Sequence, residues 1–267
     1  MTALADPGRV VPLEPDGTET PLFCVHPSSG SAYSYLGLAR LIGADRPVYG
    51  IEAPGFDGGR TPVRSVPELA AEYTATLRQL RPAGDIALLG WSLGGSIALD
   101  LARRLTAAGT PVRQVVLVDV SVPRVAALPP EPEIVRRFLR ELLLGLQVPP
   151  GAAERATAGQ PDGATAAAVL DAACRSGTLP AELDSELLDE RYPVFRALVE
   201  ASYGFEVTEP YPGPVVHLIA SGSDGRHMRW GGVATDLSEH VVPGDHHSIW
   251  TGDGLSRLAA LVRAALR

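Results

Sequence analysis

The 267-residue sequence contains no lysine and no asparagine, so all 23 of its basic side chains are arginines. Without lysine there is no Schiff-base chemistry, no Ser–Lys catalysis and no P-loop. Without asparagine there is no N-glycosylation sequon and no Cys-His-Asn arrangement, whereas Ser, Asp and His remain available. These gaps, beside abundant Ala, Gly, Pro and Arg, read as the imprint of a GC-rich genome and carry no functional weight. Cysteine is scarce as well. Cys24 and Cys174 lie far apart in apolar surroundings, which excludes a disulfide framework and a tetrahedral zinc site and points to a reducing cytosol. No run approaches the ~18 apolar residues of a membrane span, and the opening MTALADPGRV lacks the basic and apolar regions of an export signal. A soluble, cytoplasmic protein without a membrane partner is expected. Basic charge is short too: 23 basic residues face 31 acidic ones, for a net charge of −8. That balance argues against a nucleic-acid partner, because such proteins carry a basic stripe.

What is present is an alternation. Short, continuous apolar runs occur at Leu22 to Val25, Val48 to Ile51, Ile86 to Leu89, Val115 to Val118, Val215 to Ala220 and Val241 to Val242. Each reads as a strand covered on both faces. Segments of helical period separate them, at Tyr33 to Ile42, Val66 to Leu80, Gly94 to Ala108 and Leu255 to Leu266. Strands alternating with helices predict an α/β fold with a mainly parallel central sheet and right-handed crossovers. The rhythm breaks between Pro123 and Pro214, where amphipathic stretches at Glu133 to Leu144, Thr165 to Arg175 and Asp184 to Tyr203 are divided by Pro129, Pro130, Pro149, Pro150, Pro161 and Pro180. The expectation is one domain whose core is 1–122 plus 215–267, with 123–214 as a helical lid insertion.

Gly90, Trp91, Ser92, Leu93 and Gly94 form G-x-S-x-G between a predicted strand and a helix rich in small residues. Such a turn needs glycine on both sides and lifts the serine hydroxyl above the sheet edge, so Ser92 is the candidate nucleophile. A serine hydroxyl needs a base within hydrogen-bond reach, itself oriented by a carboxylate. His246 follows the last predicted strand, at a carboxyl end where α/β sheets place their sites, and its neighbour His247 is the rival. His217 reads as a core residue, His227 and His240 as turn and strand-edge residues. For the acid, Asp119 ends the strand Val115 to Val118 and Asp224 follows the next one; the pattern of residues leaves them nearly even. The oxyanion donors are expected from the backbone N–H of Leu93 and of Ser28, because Pro27 has none to offer. A metal reading of His240, Asp245, His246 and His247 lacks helical i, i+4 spacing and facial-triad order, so no metal is assigned.

These strings resemble the thioesterase domains that end nonribosomal peptide and polyketide synthetases, members of the α/β-hydrolase superfamily. The likeness rests on FCVHPSSG at 23–30, PVYGIEAPG at 47–55, GWSLGG at 90–95, LVDV at 117–120 and PGDHH at 243–247. The resemblance implies Asp119 as the acid, with Asp224 in reserve, and His246 as the base. It also implies release of an acyl or peptidyl chain from a carrier protein's phosphopantetheine thioester through an acyl-Ser92 intermediate, by hydrolysis or macrocyclisation. No metal or soluble cofactor is needed for that chemistry. A carrier protein is the implied partner, with Arg136, Arg137 and Arg140 or Arg103 and Arg104 as a docking patch, unless these only solvate their helices. The alternatives are a free-standing proofreading thioesterase, an oxygen-ester hydrolase and a non-catalytic scaffold.

Overall fold

A computed structural model describes residues 7–43, 45–56, 59–81, 83–146, 148, 151–225 and 228–267. His227, Pro149 and Pro150 lie outside the described residues. Seven strands form one sheet in the order β1-β3-β2-β4-β5-β6-β7. They are β1 (Val10–Glu14), β2 (Leu22–Val25), β3 (Val48–Ile51), β4 (Ile86–Trp91), β5 (Val112–Val118), β6 (Tyr211–Ala220) and β7 (Ala234–Val242). All neighbours run parallel except β1, which lies antiparallel to β3 along one edge.

The central strands are apolar on both sides because both faces are covered. On one face Phe23, Val25, Leu88, Val115 and Leu117 pack beneath α2 (Val66–Leu80) and α3 (Leu93–Ala107). On the other, Leu22, Cys24, Ala87, Leu89, Val116 and Val118 pack beneath α1 (Leu36–Ile42) and α8 (Gly252–Ala265). Helix starts are set locally: the Ser65 side chain accepts from the Glu68 N–H at the head of α2, where a proline also occupies the first turn.

The interval between β5 and β6 folds as α4 (Glu131–Gly145), α5 (Ala152–Ala156), α6 (Ala166–Arg175) and α7 (Ser185–Tyr203). Thr165 and Asp184 cap α6 and α7 with their side chains. The four helices bury a cluster of their own that includes Ile134, Phe138, Leu139, Val169, Leu188 and Tyr192. Helix α7 also reaches the main core, where Val194, Leu198 and Ala201 join the cluster under α2 and α3.

Several elements differ from the sequence expectation; β6, for one, begins at Tyr211 rather than Val215, inside the stretch expected as the insertion. Strand β1 was not anticipated, because Pro12 interrupts it and only one of its neighbours is a strand; proline is tolerated at such an edge. Strand β7 begins at Ala234 rather than at Val241, because its polar stretch TDLSEH lies on the opposite edge, where water replaces a second apolar layer. Helix α5 is a single short turn without a periodic signal.

The turn from β4 into α3, the elbow that carries Ser92, leaves no room for a side chain at Gly94. A Cβ on Gly94 would sit 2.4 Å from the Val25 carbonyl oxygen and 2.7 Å from that of His26. Gly94→Ala should therefore cost at least about 2 kcal/mol in chemical denaturation, since backbone oxygens cannot yield as side chains do. Gly163→Ala, with nothing within 4 Å, should stay within about 0.5 kcal/mol of the parent.

Candidate active site

Strands β2, β4, β5 and β6 end level with one another: Val25 pairs with Gly90, Trp91 with Val118, and Val118 with Leu218. The loops leaving these ends carry the candidate residues. Ser92 stands at the β4–α3 junction with φ +55 and ψ −128, outside the regions that L residues favour. Such a conformation costs of order 1–3 kcal/mol and persists only where its surroundings fix it. Here the Ser92 N–H donates to the Val118 carbonyl at 3.2 Å, and the Gly95 N–H donates to the Ser92 carbonyl at 3.0 Å. Gly90 and Gly95 let the turn close: an added Cβ would lie 2.1 Å from the Gly94 oxygen and 2.3 Å from Val120 Cγ2, respectively.

Tyr35 braces the same corner. Its buried hydroxyl donates to the Val25 carbonyl at 2.6 Å and accepts from the Trp91 N–H at 3.1 Å. One phenol thus ties the end of β2, which leads to Ser28, to the residue before Ser92. Sequence reasoning passed over Tyr35, since a tyrosine at helical spacing signals only packing. Ser28 itself lies in a turn that the Gly30 N–H closes onto the Pro27 carbonyl at 3.0 Å. Leu93 opens α3, where helix N–H groups have no intrahelical acceptor.

Asp119 follows β5 at φ +48, a left-handed conformation that aspartate tolerates better than most residues. Its carboxylate is buried, 1% exposed, and fully engaged. Oδ1 accepts from the Ala220 N–H at 2.9 Å; Oδ2 accepts from Ser223 Oγ at 2.7 Å and from His246 Nδ1 at 2.6 Å. Burial alone would raise its pKa, but the hydrogen bonds from His246, Ala220 and Ser223 outweigh it and hold the carboxyl below the usual carboxylate range. Asp119 is thus an anion around neutral pH. Because His246 Nδ1 donates to it, Nε2 carries the ring's lone pair. Asp224 is exposed and lines the same cavity. The contact with Ser223 was not foreseen; the small polar residues after β6 were its only signal in the sequence.

Ser92, Leu93, Asp119 and His246 line one cavity of about 590 Å³, together with Ser121, Arg124, Tyr203 and Met228. Among the described residues the Ser92 hydroxyl has no hydrogen-bond partner, as is common for catalytic groups before a ligand binds. His246 is about one-third exposed and lies against Trp91, ring centroids 5.1 Å apart. His247 meets the same indole edge-on at 5.6 Å. Burial, with the neighbouring His246, lowers the His247 pKa to about 4. His217 is fully buried and accepts from the Val120 N–H, while His240 is exposed on β7. Among the described residues no three His, Cys, Asp or Glu side chains are grouped to hold a metal, and no helix is long and apolar enough to cross a membrane.

The arginines read as a docking patch are engaged within the chain. Arg136 and Arg137 pair with Glu133, Arg140 with Glu154, Arg103 with Glu209 and Arg104 with Asp100.

With this geometry in view, comparison with known proteins is decisive. The family model for the thioesterase domain matches residues 20–266. The chain belongs to the thioesterase domain family. A dimodular nonribosomal peptide synthase of Bacillus subtilis is 38% identical over 110 residues, 41% of this chain and 5% of that protein. A nonribosomal peptide synthetase of Aspergillus terreus is 42% identical over 106 residues, 39% of this chain and 11% of that protein. This thioesterase domain thus spans a small fraction of the curated relatives it matches. Among solved structures, the NocB thioesterase domain of the nocardicin cluster is 26% identical, with a TM-score of 0.64 over 97% of this chain and 99% of its own. A four-domain nonribosomal peptide synthetase superposes with a TM-score of 0.79 at 24% identity, over 96% of this chain and 20% of its own. The fold is that of the α/β-hydrolases, and the enzyme class is thioesterase.

The thioesterase should respond to acid in a defined window. His26 is fully buried; its Nδ1 donates to the Pro27 carbonyl at 2.8 Å and its Nε2 accepts from the Tyr73 hydroxyl at 2.7 Å. Burial lowers its pKa to about 4. Between the unfolded value of about 6.5 and about 4, unfolded His26 and His247 take up protons that the folded rings refuse, so stability falls as pH falls. His26→Gln should reduce that slope by about 1.4 kcal/mol per pH unit, one proton's worth, near pH 5 in urea titrations. An unchanged slope would show that the folded ring protonates freely.

Proposed function

We propose that this domain releases an acyl or peptidyl chain from the phosphopantetheine thioester of a carrier protein, through an ester on Ser92. The observation that carries the reading is the 2.6 Å hydrogen bond from His246 Nδ1 to the buried Asp119, in a cavity shared with Ser92. Asp119 fixes the tautomer of His246 and stabilises the imidazolium that forms when Nε2 takes the Ser92 proton. Ser92 Oγ attacks the thioester carbonyl, and the Leu93 and Ser28 amides receive the oxyanion. The tetrahedral intermediate collapses by breaking the carbon–sulfur bond. A thiol of pKa about 8.5 leaves with less proton assistance than an amine needs. The His246 imidazolium gives its proton to the departing thiolate; the neutral ring then deprotonates water, giving a free acid, or a hydroxyl or amine of the chain itself, giving a ring, and returns that proton to Ser92 Oγ as the ester bond breaks. No metal or soluble cofactor enters these steps. The synthetase relatives support a carrier-protein partner, and the soluble character expected of the chain supports a cytoplasmic setting.

Mixing the protein with acyl and peptidyl pantetheine thioesters should give an acyl adduct in intact-protein mass spectrometry, absent in Ser92→Ala. Asp119→Asn should lower turnover by about 10³–10⁴, whereas Asp224→Asn should cost less than about tenfold. The reverse order would transfer the orienting role to Asp224. Faster turnover of a matched oxygen ester than of its thioester would make the substrate an ester.

A further inference from the structure

A second cavity, of about 650 Å³, opens on the other side of the elbow, between the core and α4 and α7. Ser29, Trp91 and His247 line it, and each is the chain neighbour of a proposed reacting group: Ser28, Ser92 and His246. The cavity thus lies next to the loops that carry Ser92 and His246, within reach of a chain esterified to Ser92. Its apolar wall is largely aromatic, with Phe56, Phe138, Phe195, Trp91 and Trp250 contributing.

One carboxyl stands among these rings. Glu141 of α4 is 21% exposed and has no hydrogen-bond partner among the described residues. Its nearest ring nitrogen, His247 Nε2, lies 4.0 Å away on a ring that burial keeps neutral. Neighbouring cations are committed elsewhere. Arg140 pairs with Glu154, and Arg191 sits over the Phe56 ring, donates to the Phe56 carbonyl and faces Glu190. Burial pushes the Glu141 carboxyl up to about 7 against the opposing pull of His246 and Arg140, so the anion is under-compensated there and a bound cation would relieve it. A second observation is independent of charge. Four buried polar atoms on the same wall lack partners: Ser29 Oγ, Trp91 Nε1, Trp250 Nε1 and His247 Nδ1. Buried polar groups are usually paired, and two of these four are indole N–H donors that carbonyl oxygens would satisfy.

Building on the thioesterase reading, we propose that this cavity receives the acyl chain and that Glu141 selects chains bearing a protonated amine, of aminoacyl or peptidyl type, over plain fatty acyl chains. An ammonium meets the Glu141 carboxylate and the faces of the surrounding rings, which attract cations.

Two isosteric pantetheine thioesters test this, 6-aminohexanoyl and heptanoyl. The wild type should favour the amine by at least about tenfold in kcat/KM, and Glu141→Gln should bring the ratio near unity, because the charge contact alone is removed. Glu141→Asp, which keeps the charge on a shorter arm, should retain part of the preference. Calorimetric titration of hexylammonium into wild type and Glu141→Gln reads the same contact without chemistry. Weaker binding to Glu141→Gln by about tenfold supports the site, and equal binding overturns it. Equal use of both thioesters by the wild type also overturns it. Absence of turnover with every thioester, beside Glu141-dependent hexylammonium binding, would count against the thioesterase reading and not against the amine site.

Discussion

Helix α3 can begin directly above strand β4 only because backbone touches backbone there. Gly94 lies against the carbonyl oxygens of Val25 and His26, and Gly90 lies against Gly94 itself. This close approach brings the start of α3 against the end of β2, at Val25 and His26. It also sets the strained φ of Ser92, which no single hydrogen bond would hold. The parallel register of β4, β5 and β6 then delivers Asp119 and His246 to the same level. A larger residue at any of the three glycines would separate groups that lie far apart in sequence.

Electrostatics divides the labour among the histidines. His26, His217 and His247 are all pushed toward the neutral form, mainly by burial. Of the two rings packed on Trp91, only His246 has a fully engaged carboxylate at its Nδ1. The Asp119 carboxylate thus faces His246 and not His247. Its own charge is stabilised by three donors before any proton moves.

Much of this was legible in the residues. Continuous runs such as Leu22 to Val25 and Ile86 to Leu89 announce buried parallel strands, since both faces demand apolar side chains. The glycines around Ser92 announce a turn that admits no Cβ. Asp119 against Asp224 was not legible from pattern, because both follow a parallel strand; only the folded chain shows that Asp119, buried at a left-handed φ, hydrogen-bonds His246. Edge strands β1 and β7 were faint because exposure removes the periodic apolar signal. Tyr35, Ser223 and Glu141 were silent, since each acts through a tertiary contact with a partner 50 or more residues away in sequence or, for Glu141, through the lack of one.

Helix α7 is shared between two hydrophobic clusters. Val194, Leu198 and Ala201 belong to the main core, whereas Leu188, Tyr192, Phe195 and Val199 belong to the cluster of the insertion. Separating either set from its neighbours would expose several side chains, each worth roughly 1.5–3 kcal/mol of burial. The insertion is consequently not a cover hinged at its two ends. α7 is held by the core and by the insertion alike. Phe138 of α4 seats against Tyr192 and Phe195 of α7, and two of those rings, Phe138 and Phe195, also wall the second cavity, so the seam that joins the insertion's helices is itself a surface that a bound chain would touch.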